Sequence, residues 1–190
     1  MKYPFKILFV IYFLFAAYVH AQDTVVFIQL NDVYEIAPLE NGKYGGLARV
    51  ASMVKDYESK YKCYVVLAGD FISPSAIGTS EFEGKRIKGR QMVDVLNNIG
   101  LDYVTFGNHE FDYSYEVLQE RIDESKFDWI VSNVNRIQDG AVQSFRKKKR
   151  DLPQYAILKV LLRSSGKEIR LGLIGLCINS NKQPYVSYED

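Results

Sequence analysis

An α/β fold built on a largely parallel sheet is predicted by three observations. Short apolar, β-branched runs recur along the chain, stretches with helical periodicity separate them, and the order is strand, helix, strand, helix, strand, helix, strand. Val25, Val26, Phe27, Ile28 and Leu30 make residues 25–30 a nearly continuous apolar strand of the kind covered on both faces. A helix is predicted over 45–60, with Leu47, Val50, Ala51, Val54 and Tyr57 on one face, followed by a second strand over 64–68. Residues 89–98 form a second helix that buries Met92, Val93, Leu96 and Ile99, with Gly100 as its C-cap. A third strand spans 102–106. The third helix spans 114–125, with Ser114 as N-cap and Val117, Leu118 and Ile122 facing inward. Trp129, Ile130 and Val131 supply the fourth strand, and residues 155–163 and 169–177 read as a strand pair around a Ser-Ser-Gly-Lys turn.

The composition narrows the class of protein. The 190-residue chain carries 24 Lys and Arg against 23 Asp and Glu, a net charge of +1, and is 47% apolar and 25% charged. These values exclude a disordered chain, a collagen-like repeat and a disulfide-dense miniprotein. They also argue against a nucleic-acid polymer as partner, because no cationic excess is available to neutralise phosphates. The basic run Arg146 to Arg150 is a solvated loop between strands, a polyanion patch or a protease-sensitive loop; the near-neutral balance elsewhere favours the solvated loop. Cys63 and Cys177 both adjoin apolar runs, as buried thiols do, and the sequence leaves open whether they pair.

Residues 1–21 carry the pattern of a cleaved secretory signal peptide. Lys2 and Lys6 precede an apolar run over 7–19, and Val19-His20-Ala21 offers the cleavage site. The alternative is an uncleaved anchor, although the run is shorter than the roughly 20 residues a membrane span needs. Export to the periplasm, cell surface or medium is the expectation, with residues 22–190 forming one domain and no stable membrane span after cleavage. His109 is then the only histidine of the mature chain.

Chemistry-bearing residues stand at three matched places. Asn31-Asp32 follows the first strand, Gly69-Asp70 the second and Gly107-Asn108-His109-Glu110 the third; Asp32, Asp70 and Asn108 lie at intervals of 38 residues. Each interval holds one strand, one crossover helix and the next strand, so all three residues reach the carboxyl edge of a parallel sheet, where ligands bind in such folds. A lone aspartate there is ordinarily a helix cap; three matched positions argue for more. Two carboxylates on one rim repel unless a cation lies between them. Oxygen donors from Asp and Asn suit Mg, Mn, Ca or Fe, and an imidazole extends the range to Zn. Asn133, after the fourth strand, falls on the same rim as a further polar contributor or as a turn residue.

The blocks Asn31-Asp32, Ala68-Gly69-Asp70 and Gly107-Asn108-His109-Glu110-Phe111-Asp112 together resemble the calcineurin-like metallophosphoesterases, and Gly45-Gly46-Leu47-Ala48-Arg49 is similar to the corresponding stretch of the exported 5′-nucleotidases. The resemblance extends over residues 25–190. It implies metallophosphoesterase-like βαβ layers with a mixed sheet, an incomplete α/β sandwich, and two divalent metal ions (Mn, Zn, Mg, Fe or Ca). By the same resemblance Asp32 ligates the first metal, Asp70 bridges both and Asn108 ligates the second. His109 faces the scissile phosphate rather than a metal, and Asp112 holds its ring. Asn31 orients Asp32, while Glu110 and Phe111 have packing and turn roles. The implied reaction is hydrolysis of nucleotide phosphomonoesters, with cyclic nucleotides or nucleotide sugars as alternative substrates.

Two departures from the family pattern bear on this. The usual Asp-X-His reads Asp32-Val33-Tyr34 here. A tyrosine ligates only when a strong Lewis acid such as ferric iron acidifies its phenol, and otherwise the position falls to water. The family's later Gly-His-X-His block has no counterpart, since no histidine follows His109, and the C-terminal domain that reads the nucleoside is missing. The expectation is the N-terminal portion of a truncated catalytic domain that lacks activity by itself. The alternative is a non-catalytic remnant that keeps the fold and binds metal weakly or assembles with a partner chain.

Overall fold

The computed structural model describes residues 23–162 and 165–189. The expected signal peptide, His20 included, lies outside the described residues, as do Arg163, Ser164 and Asp190. Four strands form the central sheet: β1 (Val25–Leu30), β2 (Lys62–Leu67), β3 (Tyr103–Val104) and β4 (Asp128–Trp129). They lie in sequence order and every pairing is parallel, with Ile28 beside Val65, Leu67 beside Val104, and Val104 beside Trp129. Three helices make the crossovers: α1 (Leu47–Lys60), α2 (Arg90–Ile99) and α3 (Tyr115–Glu124). Right-handed crossovers between strands in sequential order put all of them on one face. The α/β expectation therefore holds, with antiparallel pairing confined to separate small sheets.

The core follows from the alternation of side chains along the strands. Val65, Leu67 and Val104 point to the helix layer and pack with Val54, Met92, Val93, Leu96, Leu118 and Ile122. Tyr64 points the other way, into a smaller cluster with Leu158 and Val160. Those two residues belong to β9 (Tyr155–Leu161), which pairs antiparallel with β10 (Glu168–Ile174) as the expected strand pair. Between β4 and β9 in the chain come β5 (Val134–Gln138) and β6 (Ala141–Gln143), then a small hairpin of β7 (Arg146–Lys147) and β8 (Arg150–Asp151). The last strand, β11 (Val186–Tyr188), pairs with β5.

Several details differ from the expectation. Tyr57 of α1 is on the exposed side, its ring 6.2 Å from that of Tyr61, and only Leu47 and Val54 of that face are fully buried. Ser114 stands at the N-cap of α3 with extended backbone, but its hydroxyl makes no capping bond to the helix. The basic run is mostly exposed, as a solvated segment is, but it forms a hairpin with a two-residue turn: Lys148 and Lys149 occupy its left-handed positions, Arg146 pairs with Asp151 at 2.7 Å, and Lys147 donates to the Phe127 carbonyl at 2.6 Å. Gly100 meets its expectation, with φ 87° and its N–H on the Leu96 carbonyl. Cys63 and Cys177 are both free and buried. Among the described residues no helix is long and apolar enough to cross a membrane.

A candidate active site at the carboxyl edge of the sheet

Because β1, β2 and β3 run parallel, the chain leaves all of them at one edge, and Asp32, Asp70 and Asn108 follow there. Two of these turns need unusual backbone. Asp32 and Asp70 both adopt positive φ, 53° and 59°, a region that aspartate tolerates and most residues avoid. Gly69 and Gly107 let the second and third turns touch. A Cβ on Gly69 would fall 2.0 Å from the Gly107 nitrogen, and one on Gly107 would fall 2.2 Å from Asp70 Oδ1. This contact lets the His109 N–H donate to Asp70 Oδ1 at 2.8 Å.

The third turn is a 3-10 segment, Asn108–Asp112, that divides its side chains between two environments. Phe111 is fully buried, its ring centroid 5.1 Å from that of Phe106, in an aromatic layer with Trp129 and Phe145. Glu110 is fully buried too. Its carboxylate accepts the backbone N–H groups of Gly107, Asp70, Phe71 and Ile72, at 2.6, 2.8, 2.9 and 3.3 Å. Burial raises its pKa while these donors oppose the rise. The expected packing-and-turn role thus becomes a specific one: Glu110 ties the second turn to the third.

His109 and Asp112 are partly exposed and form the expected pair, with Nδ1 2.9 Å from Asp112 Oδ2. The hydrogen bond to Asp112 raises the His109 pKa, partial burial opposes it, and the charges of Asp112, Asp70 and Glu110 add to the rise. Asp32 lies in the same field. The Asn31 amide donates to one of its oxygens at 2.8 Å and the Tyr34 hydroxyl to the other at 3.0 Å, and these bonds lower its pKa. Asn31 therefore does orient Asp32. Tyr34 stands edge-on to the His109 ring, centroids 6.0 Å apart. Burial and the hydrogen bond to Asp32 hold its phenolic proton more tightly than usual. Asp70 shows the opposite balance: burial raises its pKa, the His109 N–H and ring lower it, and Asp32 and Asp112 raise it again.

Asp32, Asp70, Tyr34, His109 and Asp112 are thus brought within one electrostatic neighbourhood. Asn133 is engaged elsewhere. Its amide donates to the Cys177 carbonyl and accepts the Cys177 N–H, both at 2.9 Å, which joins the residue before β5 to the segment after β10. Two contributors had no sequence signal. Ser73 donates to Asp112 Oδ2 at 3.0 Å, and Asn181 donates to Asp112 Oδ1 and to the Asn108 carbonyl, both at 2.9 Å. A cavity of about 490 Å³ lined by Tyr34, Ser73, Ser75, Thr79 and Tyr113 opens beside the pair.

Among the described residues no three His, Cys, Asp or Glu side chains converge as a metal-holding group. Asp32 and Asp70 offer hard carboxylate oxygens, Asn108 stands in the turn that meets Asp70, and burial together with the charges of Asp32 and Asp112 disfavours the ionised form of Asp70. That donor set fits part of a site for a hard divalent cation.

A calcineurin-like phosphoesterase family model matches residues 25–165. The chain belongs to that family. Its match to a 2′,3′-cyclic-nucleotide 2′-phosphodiesterase/3′-nucleotidase of Haemophilus influenzae is 32% identical over 115 residues, covering 59% of this chain and 17% of that protein. A snake venom 5′-nucleotidase of Gloydius brevicauda is 28% identical over 179 residues, covering 86% of this chain and 28% of the venom protein. In overall fold the chain is similar to a 5′-nucleotidase precursor from Thermus thermophilus, with a TM-score of 0.64, 24% identity, and coverage of 86% of this chain and 31% of that one. The chain therefore spans less than a third of the length of each of these relatives.

Proposed function

We propose that this chain carries the N-terminal part of the catalytic domain of an exported, metal-dependent phosphoesterase of the 5′-nucleotidase type, which releases phosphate from nucleotide phosphomonoesters. The observation that carries the reading is the gathering of Asp32, Asp70 and the His109–Asp112 pair on one rim. The venom relative, aligned over most of the chain, supports the substrate class. Asp32, Asp70 and Asn108 would hold the divalent ions. Bound there, such ions supply Lewis acidity and a hydroxide at neutral pH.

The chain's own residues then have distinct tasks. Asn31 and Tyr34 fix both oxygens of Asp32, and the His109 N–H fixes one oxygen of Asp70. Asp112 occupies Nδ1 of His109 and leaves Nε2 as the nitrogen that meets the phosphoryl oxygens. The raised pKa of His109 favours the imidazolium, in which both nitrogens donate, so the ring stabilises negative charge on those oxygens. The remaining metal donors and the surface that reads the nucleoside come from a further part of the full protein, which relatives of much greater length support.

The test compares the full-length protein with the 22–190 chain, each with Mn²⁺ and each against its Asp70→Ala variant. The full protein is expected to release phosphate from a nucleoside 5′-monophosphate well above its variant. The 22–190 chain is expected not to exceed its control on p-nitrophenyl phosphate. A second reading, hydrolysis of a 2′,3′-cyclic nucleotide, is favoured by the name of the 32% identical relative and is decided by the same assay with that diester. A full protein silent on both substrates would overturn the enzymatic reading in favour of a remnant. The mass of the N-terminus of protein recovered from the medium or periplasm tests export, with cleavage after Ala21 expected.

A further inference from the structure

We propose that Asn181 is a positioning residue for the His109–Asp112 pair, holding the Asp112 carboxylate in the one orientation that lets it accept from Nδ1. Asp112 meets donors from three parts of the chain. Its Oδ2 accepts His109 Nδ1 at 2.9 Å and Ser73 Oγ at 3.0 Å, while Oδ1 accepts Asn181 Nδ2 at 2.9 Å. The same Asn181 nitrogen donates to the Asn108 carbonyl at 2.9 Å, so its two hydrogens have two acceptors at opposite ends of the 3-10 segment. The orientation of this amide is itself determined. Gln183 Nε2 donates to Asn181 Oδ1 at 3.0 Å, which reserves the nitrogen side for Asp112, and Tyr188 donates to the Asn181 carbonyl at 2.7 Å.

Without Asn181, Oδ1 loses the partner that prevents the partly exposed carboxylate from rotating. The imidazole would then keep its Nδ1 bond for a smaller fraction of the time. Aspartate at 181 is the sharper probe. It is nearly isosteric but presents oxygen to two acceptors, so it repels the carboxylate it should hold.

The consequence for catalysis rests on the function proposed above; the positional claim does not. His109 is the only histidine in residues 22–190, so the proton on its Nδ1 gives a single assignable low-field NMR resonance in that chain. In the unmodified chain this proton is expected to be slow in exchange with water. Asn181→Ala should speed the exchange about fivefold, the value of one lost hydrogen bond, and Asn181→Asp should speed it more. Backbone spectra verify folding in each case. Should neither variant fold, Asn181→Ser keeps a single donor, and an accelerated exchange there supports the proposal. An unchanged resonance and exchange rate in any folded variant overturns it, since a merely structural role would leave the imidazole proton undisturbed. Absence of turnover by the full protein would undo the functional reading while leaving this result standing.

Discussion

Beneath the rim and above it, two carboxylates of the same six-residue block are treated in opposite ways. Glu110 is sealed under the turns and accepts four backbone N–H groups; Asp112, two residues on, is partly open to solvent and meets only side chains. Glu110 spends its whole hydrogen-bonding capacity on making two turns into one body. Asp112 spends part of its capacity on an imidazole that remains accessible. The difference teaches that Gly107–Asp112 is two devices interleaved by the alternation of a tight turn. One half determines where the rim stands, and the other half is open to solvent above it.

The comparison breaks most severely at Glu110. Glu110→Ala would leave four N–H groups without acceptors, three of them buried and that of Asp70 half-buried, at about 1–3 kcal/mol each. That total rivals the roughly 5–15 kcal/mol stability of a whole domain, so the variant is expected not to fold. Far-UV and near-UV circular dichroism of the purified chain checks this. A cooperative transition near that of the parent would show that the N–H groups find other partners.

Gly69→Ala should come next, at about 2–3 kcal/mol. The new methyl would sit 2.0 Å from the backbone nitrogen of Gly107, which no rotamer can relieve, and the position has φ 82°. Urea unfolding measures the loss. The same substitution should displace Asp70 relative to His109, because the contact between the two turns brings that oxygen to that N–H.

Smaller and of opposite sign is the change expected far from the rim. Lys148 and Lys149 hold φ of 48° and 72° in a two-residue hairpin turn that asparagine and glycine fit better. Replacing them with Asn and Gly should stabilise the chain by about 0.5–1 kcal/mol, since relief of left-handed strain outweighs the freedom glycine adds to the unfolded chain. A loss of stability in the same urea titration would mean that the lysine charges contribute more than the backbone strain.

What the sequence made legible follows the same division. The four strands, their three crossover helices and the three matched strand ends were readable because each depends on neighbours in the chain. A run of Val and Ile, a helical stripe, or a Gly-Asp after a strand carries its signal locally. Gly100 was readable for the same reason. Three of the four partners of Glu110 were not, since they are backbone groups 38–40 residues away that have no residue signature. Ser73 and Asn181 lie in irregular segments, where a polar residue is unremarkable until the fold brings it to Asp112. The Lys148-Lys149 turn escaped because lysine is an unusual residue for left-handed backbone. Tyr57 had the right period for burial, but the core ends before it.

The smallest effect on folding, and the one that sharpens the comparison most, is expected from His109→Ala. The ring is partly exposed and its one described hydrogen bond is to Asp112, which keeps Ser73 and Asn181 as donors. Loss of the imidazole should therefore move stability by no more than about 0.5 kcal/mol. The backbone N–H that holds Asp70 survives the substitution, so the carboxylate stays in place. In the full-length protein, calorimetric titration with Mn²⁺ should accordingly find affinity close to that of the parent. Phosphate release should fall by far more, because the proposed role of His109 is to balance charge on the phosphoryl oxygens. If affinity and turnover fell together by the same factor, His109 would belong with the residues that hold the ion, and the division of the block into a supporting half and a reacting half would be misplaced at that residue.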